Sequence, residues 1–362
     1  MTPLEQEQTV ETVTRELVAL AREKTEREGL EFRTFCLGLH FEDAGLLRSG
    51  WLASVSSAIK RRAGSTLCAG WPGREVDLGA PEAMLIFDPE RRTLEVRLKS
   101  VYLYGRYRKL ERGLPQTRWH CRACGGRGCS RCDGTGRAKE GSVEEQIGEP
   151  VARAFRTQTV PLLHGMGRED ADVLMLGSGR PFVLEVLQPR QRSVDLGAIS
   201  VSGPVELASP FRVVDAEVVS RVKSLDPPKA YRALCRAGSE IDPARVATLA
   251  ASLVEIEQRT PGRVKKSRAD LVRRRRILGL SARLLAPRDL ELELTTEAGT
   301  YVKELVSGDR GRTSPSVASL LGCEISVAEL TVLGIEIEDE QAYAKPNPGT
   351  SGPRLGGPTL GP

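Results

Sequence analysis

The chain has 362 residues, 40% of them apolar and only 4% aromatic, and its 53 lysines and arginines against 48 aspartates and glutamates leave a net charge of +5. That length exceeds one ordinary domain and supplies enough apolar material for real cores, which excludes wholesale disorder. No run approaches the ~18 consecutive apolar residues of a spanning helix, and the acidic, amphipathic start MTPLEQEQTVETVTRELV does not read as a secretory signal, so a cytoplasmic protein with no membrane partner is expected.

Taken in chain order, residues 4–28 predict an amphipathic helix, with Leu4, Val10, Val13, Leu17 and Leu20 near a 3.6 period. A second helix is predicted over 51–62. A hairpin follows, from MLIFD at 84–88 and LEVRLKSVYLYG at 94–105, joined by the turn-rich PERRT. In its second strand Leu94, Val96 and Leu98 alternate with Glu95, Arg97 and Lys99, so one face is buried. These elements predict an α+β domain over 1–116. A Cys- and Gly-rich segment occupies 117–140. Beyond it the chain is strand-rich, with strands predicted at 181–188, 211–220, 290–296 and 327–337. Among them lies a helix with a marked start, Asp242 as N-cap and Pro243 in first position, carrying Val246, Leu249, Leu253 and Ile256 on one face. A single domain over 141–343 with a central antiparallel or mixed sheet fits this order. Five Gly and five Pro in the last 18 residues predict a flexible tail over 344–362.

The small net charge hides an uneven distribution. Residues 105–137 carry nine basic residues against Glu111 and Asp133, a net of +7. Residues 259–276, RTPGRVKKSRADLVRRRR, carry nine against Asp270, a net of +8, so the remainder holds about −10. An acidic bulk with two basic stretches suits presentation of local positive surface to a polyanion such as nucleic acid. A solvated charged face is the plainer alternative for either stretch alone. The second supplies the candidate RNA contacts Arg263, Lys265, Lys266, Arg268, Arg273, Arg274, Arg275 and Arg276.

Four of the eight cysteines, Cys121, Cys124, Cys129 and Cys132, form two CxxC turns four residues apart. Such turns supply two thiolates each to one tetrahedral Zn²⁺, and Gly125, Gly126 and Gly128 allow the tight reversal between them. Free or redox-active thiols are the alternative. Four ligands close the coordination shell, so the expected zinc is structural rather than catalytic.

Three motifs in the C-terminal part carry chemistry. GREDADVLMLGSGRPF at 167–182 sets Glu169, Asp170 and Asp172 between Arg168 and Arg180; KAYRAL spans 229–234; AGTYVKELVSGDRGRTSPS spans 298–316. A carboxylate beside arginines suits a nucleophile or base acting on a phosphate-bearing substrate, and a surface ion-pair loop is the plainer alternative. Together these motifs resemble pseudouridine synthases, most closely the tRNA pseudouridine-54/55 synthase family of archaea and eukaryotes. KSVYLYGRYRKLERGLPQTRW at 99–119, SVEEQIG at 142–148 and QRTPGRVKKSRADLVRRRRI at 258–277 resemble the same family, so the likeness runs from about residue 80 to 337.

The resemblance implies an isomerase that acts on uridine 55 of the tRNA T-loop, with uridine 54 left open as a second target. It implies Asp170 as the catalytic aspartate, Tyr231 stacking on the uracil and available as a base, Tyr301 as a second substrate contact, and Lys303 as the cation paired with the aspartate. Arg168 and Arg180 complete the expected substrate contacts. By the same analogy residues before about 80 complete a THUMP-like RNA-binding domain. Two departures stand out: Leu174 replaces an arginine usual in the family, and Cys36 and Cys68 are isolated where some members carry a CxxC pair. The reaction breaks and remakes one glycosidic bond without redox change, which agrees with the lack of a GxxxxGK[ST] or convincing GxGxxG motif. Zinc but no organic or nucleotide cofactor is therefore expected, in a monomer whose partner is tRNA. The alternatives are a pseudouridine synthase for another tRNA position or RNA, and a non-catalytic RNA-binding protein that keeps the knuckle and basic stretches.

Overall fold

The computed structural model describes residues 3–41, 50–265, 268–337 and 340, so the expected tail at 344–362 and the candidate contact Lys266 lie outside the described residues. The two expected helices form as α1 (Pro3–Glu28) and α2 (Gly50–Gly70), the second a full two turns longer than its apolar signature suggested. Both pack on a four-stranded sheet of β1 (Thr34–Leu39), β2 (Glu75–Val76), β3 (Ala83–Asp88) and β4 (Thr93–Leu98), in the order β2-β1-β3-β4. β1 runs parallel to both neighbours, and β3 and β4 form the expected hairpin. Leu17, Phe35, Leu67, Leu85 and Phe87, with no exposed surface, form this unit's own core.

The boundary expected at residue 116 falls instead at 99–100. β5 (Val101–Lys109) leaves the hairpin and enters a ten-stranded sheet, between β7 (Leu174–Val186) and β8 (Val205–Val214). A strand flanked on both sides and covered on both faces loses the alternation that a half-buried strand shows, and every residue of β5 is buried or half-buried. The sequence pattern therefore could not separate it from the preceding strand.

The rest of this sheet comes from β6 (Leu162–Gly165), β9 (Lys229–Ala237), β10 (Glu255–Arg259), β11 (Val272–Ala286), β12 (Asp289–Thr296), β13 (Thr313–Ser314) and β14 (Ile325–Ile335). Its order is β13-β10-β11-β12-β9-β14-β7-β5-β8, with β6 beside β7. All pairings are antiparallel except β14 with β7, so the sheet is mixed and the fold α+β. The strand predicted over 211–220 stops at Val214, and α4 (Glu217–Ser224) follows. The helix predicted from Asp242 is α5 (Pro243–Ser252), with the Asp242 carboxylate accepting from Ala244 N at 2.9 Å.

The two units are joined through the loop after β7. Glu31 accepts from the amides of Arg192 and Ser193 at 2.7 and 2.8 Å, and Gln188 accepts from Leu98 N at 2.9 Å. The Cys-rich segment hangs from α3 (Val143–Ala154), which begins with a Ser142 cap. Glu144 and Glu145 in its first turn are buried and hold the two arms of the segment, Glu144 pairing with Arg118 at 3.3 Å and Glu145 with Arg137 at 3.0 Å. This gives the SVEE sequence a physical role.

Candidate active site

The R-E-D motif lies in the loop between β6 and β7, the K-A-Y motif opens β9, and the G-T-Y motif leads into the short helix α6 (Val302–Ser307). The sheet order puts these segments around one cavity of about 330 Å³. Arg168, Asp170, Arg180, Tyr231, Tyr301 and Lys303 all line it, joined by Arg263 and Arg268 from the basic segment.

Asp170 keeps a side chain 43% exposed toward the cavity, and its nearest cation is Arg263, 3.0 Å from Oδ2. Lys303 lies 3.5 Å from the same oxygen but 2.7 Å from Asp172 Oδ2. The expected Lys303 pairing is thus shared, and Asp172 takes the closer contact. Burial pushes the Asp172 carboxyl up, but the hydrogen bond and charge of Lys303 outweigh it and hold the group below the ordinary carboxylate range. Arg263 also binds Glu304 at 2.7 Å, so one guanidinium spans the β6–β7 loop and α6.

Tyr231 sits on β9 opposite Leu294 and Val332, half-buried against the main core. Burial pushes its phenol up to about 12, although Arg180 pulls the other way. Tyr301 is fixed through its backbone: Gln258 donates to Tyr301 O at 3.0 Å and accepts from Tyr301 N at 2.8 Å. The Tyr301 hydroxyl accepts from Arg268 at 3.0 Å. Lys229, two residues before the tyrosine in the K-A-Y motif, also lines the cavity. Burial first and then repulsion from Arg180 bring its pKa down to about 8, against the pull of Asp226.

Beneath the loop lies a polar network absent from the sequence expectations. Lys109, with no exposed surface, donates to the carbonyls of Leu114, Asp170 and Ala171 at 2.9, 3.1 and 3.2 Å. Glu169 stands 3.7 Å from that ammonium and 2.8 Å from Arg180 Nε, the latter an ion pair off the hydrogen-bond axis. The Tyr107 hydroxyl donates to Glu169 at 3.0 Å and accepts from Gln116 at 2.9 Å. Burial lowers the Lys109 pKa, with Glu169 opposing, and raises the Tyr107 phenol well above its usual value. Arg180, only 1% exposed, donates to Met166 O at 2.6 Å. Arg180 thus supports the loop through Nε and Nη1 while it also lines the cavity, where the sequence suggested a substrate contact. The one available signal was the placement of Arg106 and Lys109 among aromatic and apolar residues of a strand, where charge is costly unless paired.

Local pairing also redraws the basic surface. In the 105–137 stretch Arg106 is buried, Arg108 pairs with Glu206, and Arg112 pairs with Glu329. The exposed arginines with no ion pair among the described residues are those of the knuckle, Arg122, Arg127 and Arg131. In the second stretch Asp270 pairs with Arg259 and Lys265, and also with Arg312. The hydrogen bond from Arg259 is the main cause that brings its carboxyl down to about 2, so it is ionised throughout the neutral range and offsets one of their three positive charges.

The four knuckle cysteines close on one point. Cys121 and Cys129 Sγ are 3.9 Å apart, as are Cys124 and Cys132, and Cys129 lies 3.7 Å from Cys132. Four sulfurs about 2.3 Å from a tetrahedral Zn²⁺ would be about 3.8 Å apart, so the spacing fits a metal without rearrangement. Amides of Cys129 and Gly136 point at Cys132 Sγ and that of Gly128 at Cys124 Sγ, each at 3.2 Å, and such donors favour thiolates. Gly128 is required here: its φ is +91°, and a side chain would strike the Gly134 carbonyl.

The profile of the family described as Pus10, C-terminal, matches residues 102–336. The chain is 41% identical over 313 residues to a protein of Methanothrix thermoacetophila named tRNA pseudouridine synthase Pus10, spanning 83% of this chain and 69% of the relative. Relatives of the same name in Archaeoglobus fulgidus, at 44% over 262 residues, and Methanothermobacter marburgensis, at 38% over 338 residues, are covered to 72% and 81% of their lengths. Among solved structures, a Cbf5–Nop10–Gar1 complex is a distant likeness, 19% identical with a TM-score of 0.32 over 50% of this chain and 42% of that one. On the profile and these identities, the chain belongs to the Pus10 family.

Proposed function

We propose that the chain is a tRNA pseudouridine synthase that isomerises uridine 55 of the T-loop, with uridine 54 as an additional target to be mapped. The observation that carries this reading is the meeting of Asp170, Tyr231, Tyr301 and Lys303, from three separate motifs, around one cavity.

The target nucleotide must leave its stack to enter such a cavity. Tyr231 offers an aromatic face for the uracil, a contact of about 1–3 kcal/mol per base. Asp170 presents its carboxylate to the nucleoside while Lys303 and Arg263 keep negative charge favourable there. The C1′–N1 bond breaks, the uracil turns, and C1′ joins C5; N1 gains a proton and C5 loses one. With its phenol near 12, Tyr231 would need about 7 kcal/mol to ionise at pH 7. In this reading the Asp170 carboxylate, exposed in the cavity, accepts the C5 proton, and Tyr231 serves as the neutral stacking surface.

Arg263 and Arg268, the knuckle arginines and the N-terminal THUMP-like unit would grip the tRNA through phosphates, while the cavity selects the base. Cys121, Cys124, Cys129 and Cys132 would hold one structural Zn²⁺, which stabilises the knuckle's fold and takes no part in the isomerisation. No organic cofactor is needed for a redox-neutral exchange of bonds. The reading includes a monomer acting in the cytoplasm. Mapping pseudouridines in an unmodified tRNA transcript treated with the protein tests the reading. Modification at position 55 is expected, and modification only at another position would refute the assigned target.

A further inference from the structure

The four consecutive arginines of β11 are not equivalent. Arg274 and Arg276 stand opposite Glu257 and Glu255 on β10, whereas Arg273 and Arg275 stand opposite Gln258 and Ile256. Gln258 and Ile256 are buried at 3% and 1% exposure, so the second pair occupies the face that carries the site. On the outer face Arg274 binds Glu257 at 3.1 Å and Arg276 binds Glu297 at 2.7 Å.

Arg273 and Arg275 have no ion pair among the described residues. Among the described residues Arg273 reaches only the Thr260 hydroxyl, at 3.5 Å. Arg275 donates from Nη1 to the carbonyl of its own neighbour Arg274 at 3.0 Å, and its Nε is buried with no acceptor among the described residues. Glu297 is within electrostatic reach, but its two oxygens are taken by Arg276 Nε and N. The Arg275 guanidinium lies across Gly299, whose φ is +78°, with Nη2 only 3.2 Å from where a Cβ would stand. Gly299, Thr300 and Tyr301 form one wall of the cavity. A half-buried cation packed against that wall with no ion pair among the described residues leaves a positive charge that an anion from outside the chain can meet. A phosphate meets the need, since the guanidinium fork matches its oxygens.

We propose that Arg275, with Arg273 beside it, seats an RNA phosphate at the Gly299–Tyr301 rim, and that Arg274 and Arg276 serve the sheet's outer face and touch no RNA. This rests on the tRNA-directed reading above and divides the basic run by strand face.

The test compares the full chain, R273A/R275A and R274A/R276A in binding an unmodified tRNA transcript across a series of KCl concentrations. Each lost phosphate contact lowers the log–log slope by about 0.7–0.9. R273A/R275A should lose one or two such steps, R275K should keep the slope, and R274A/R276A should match the parent. If thermal melting shows R273A/R275A to be unfolded, single R275Q replaces it, with one step expected. Equal loss in both double variants, or loss confined to R274A/R276A, overturns the proposal. The two readings fail separately. A parent that forms no pseudouridine but shows the face-specific slopes sinks the enzymatic reading alone. An active parent with no slope change in R273A/R275A sinks the phosphate seat alone.

Discussion

Lys109 holds Asp170 by its backbone: the buried ammonium donates to the Asp170 carbonyl at 3.1 Å from beneath the loop, while the carboxylate of the same residue faces the cavity. The strand that carries Lys109 is one in from the β8 edge of the ten-stranded sheet, flanked on both sides and with every residue buried or half-buried, so the loop is tied to an enclosed element of the fold.

Replacing Lys109 with methionine removes three donor contacts and leaves Glu169 with one cation fewer. Turnover should fall by about 100-fold, the scale set by misplacing a reacting group by about 1 Å, with little change in KM. Stability should fall by about 3 kcal/mol, as expected when a buried ion pair is broken. Steady-state kinetics with denaturant melts at matched temperature check both. A rise in KM at unchanged kcat would place Lys109 in substrate binding instead.

Tyr231 separates stacking from proton transfer. Tyr231→Phe keeps the ring and should retain tRNA affinity and most of the turnover, whereas Tyr231→Ala should lose about 1–3 kcal/mol of base contact. The parent's rate should show no phenol ionisation below about pH 11, because burial lifts that group to about 12. Loss of activity in the phenylalanine variant as complete as in the alanine variant would return the base role to the hydroxyl.

Lys229 gives the site a pH dependence with a definite sign. It is protonated below about 8 and loses its charge as the pH rises through that value. Affinity for the polyanionic substrate should fall several-fold between pH 7 and 9 and be flat there in Lys229→Met. An identical fall in that variant would assign the titration to another group.

The cysteine knuckle should carry about one zinc per chain in protein handled without oxidation. Chelation should loosen the backbone around the already exposed Arg122, Arg127 and Arg131 so that trypsin cleaves there, while the two hydrophobic cores stay folded. Metal-free protein with unchanged protease resistance in this segment would contradict the metal site.

The three motifs at 167–182, 229–234 and 298–316 were legible as segments with chemical character, but the choice of Asp170, Tyr231, Tyr301 and Lys303 within them came from the family resemblance. The knuckle was legible from spacing alone. What escaped depends on contacts distant in sequence. Asp170 and Asp172 lie two residues apart, and only the loop's path decides which one Lys303 approaches more closely. Arg106 and Lys109 counted as surface charge because a strand covered on both faces shows no alternation. The same lack of alternation placed the first domain boundary some 16 residues too late. The basic runs were visible as composition, but their usable charge depended on Glu206, Glu257, Glu297 and Asp270, which sequence alone does not place beside them.

The most direct measurement is pseudouridine formation on a tRNA transcript by Asp170→Ala beside the parent, with tRNA binding measured on the same samples. The parent should convert uridine 55, and the variant should bind tRNA within a few-fold of the parent and form no pseudouridine. A variant that converts uridine 55 at the parental rate would contradict the assignment of Asp170 and the chemistry built on it.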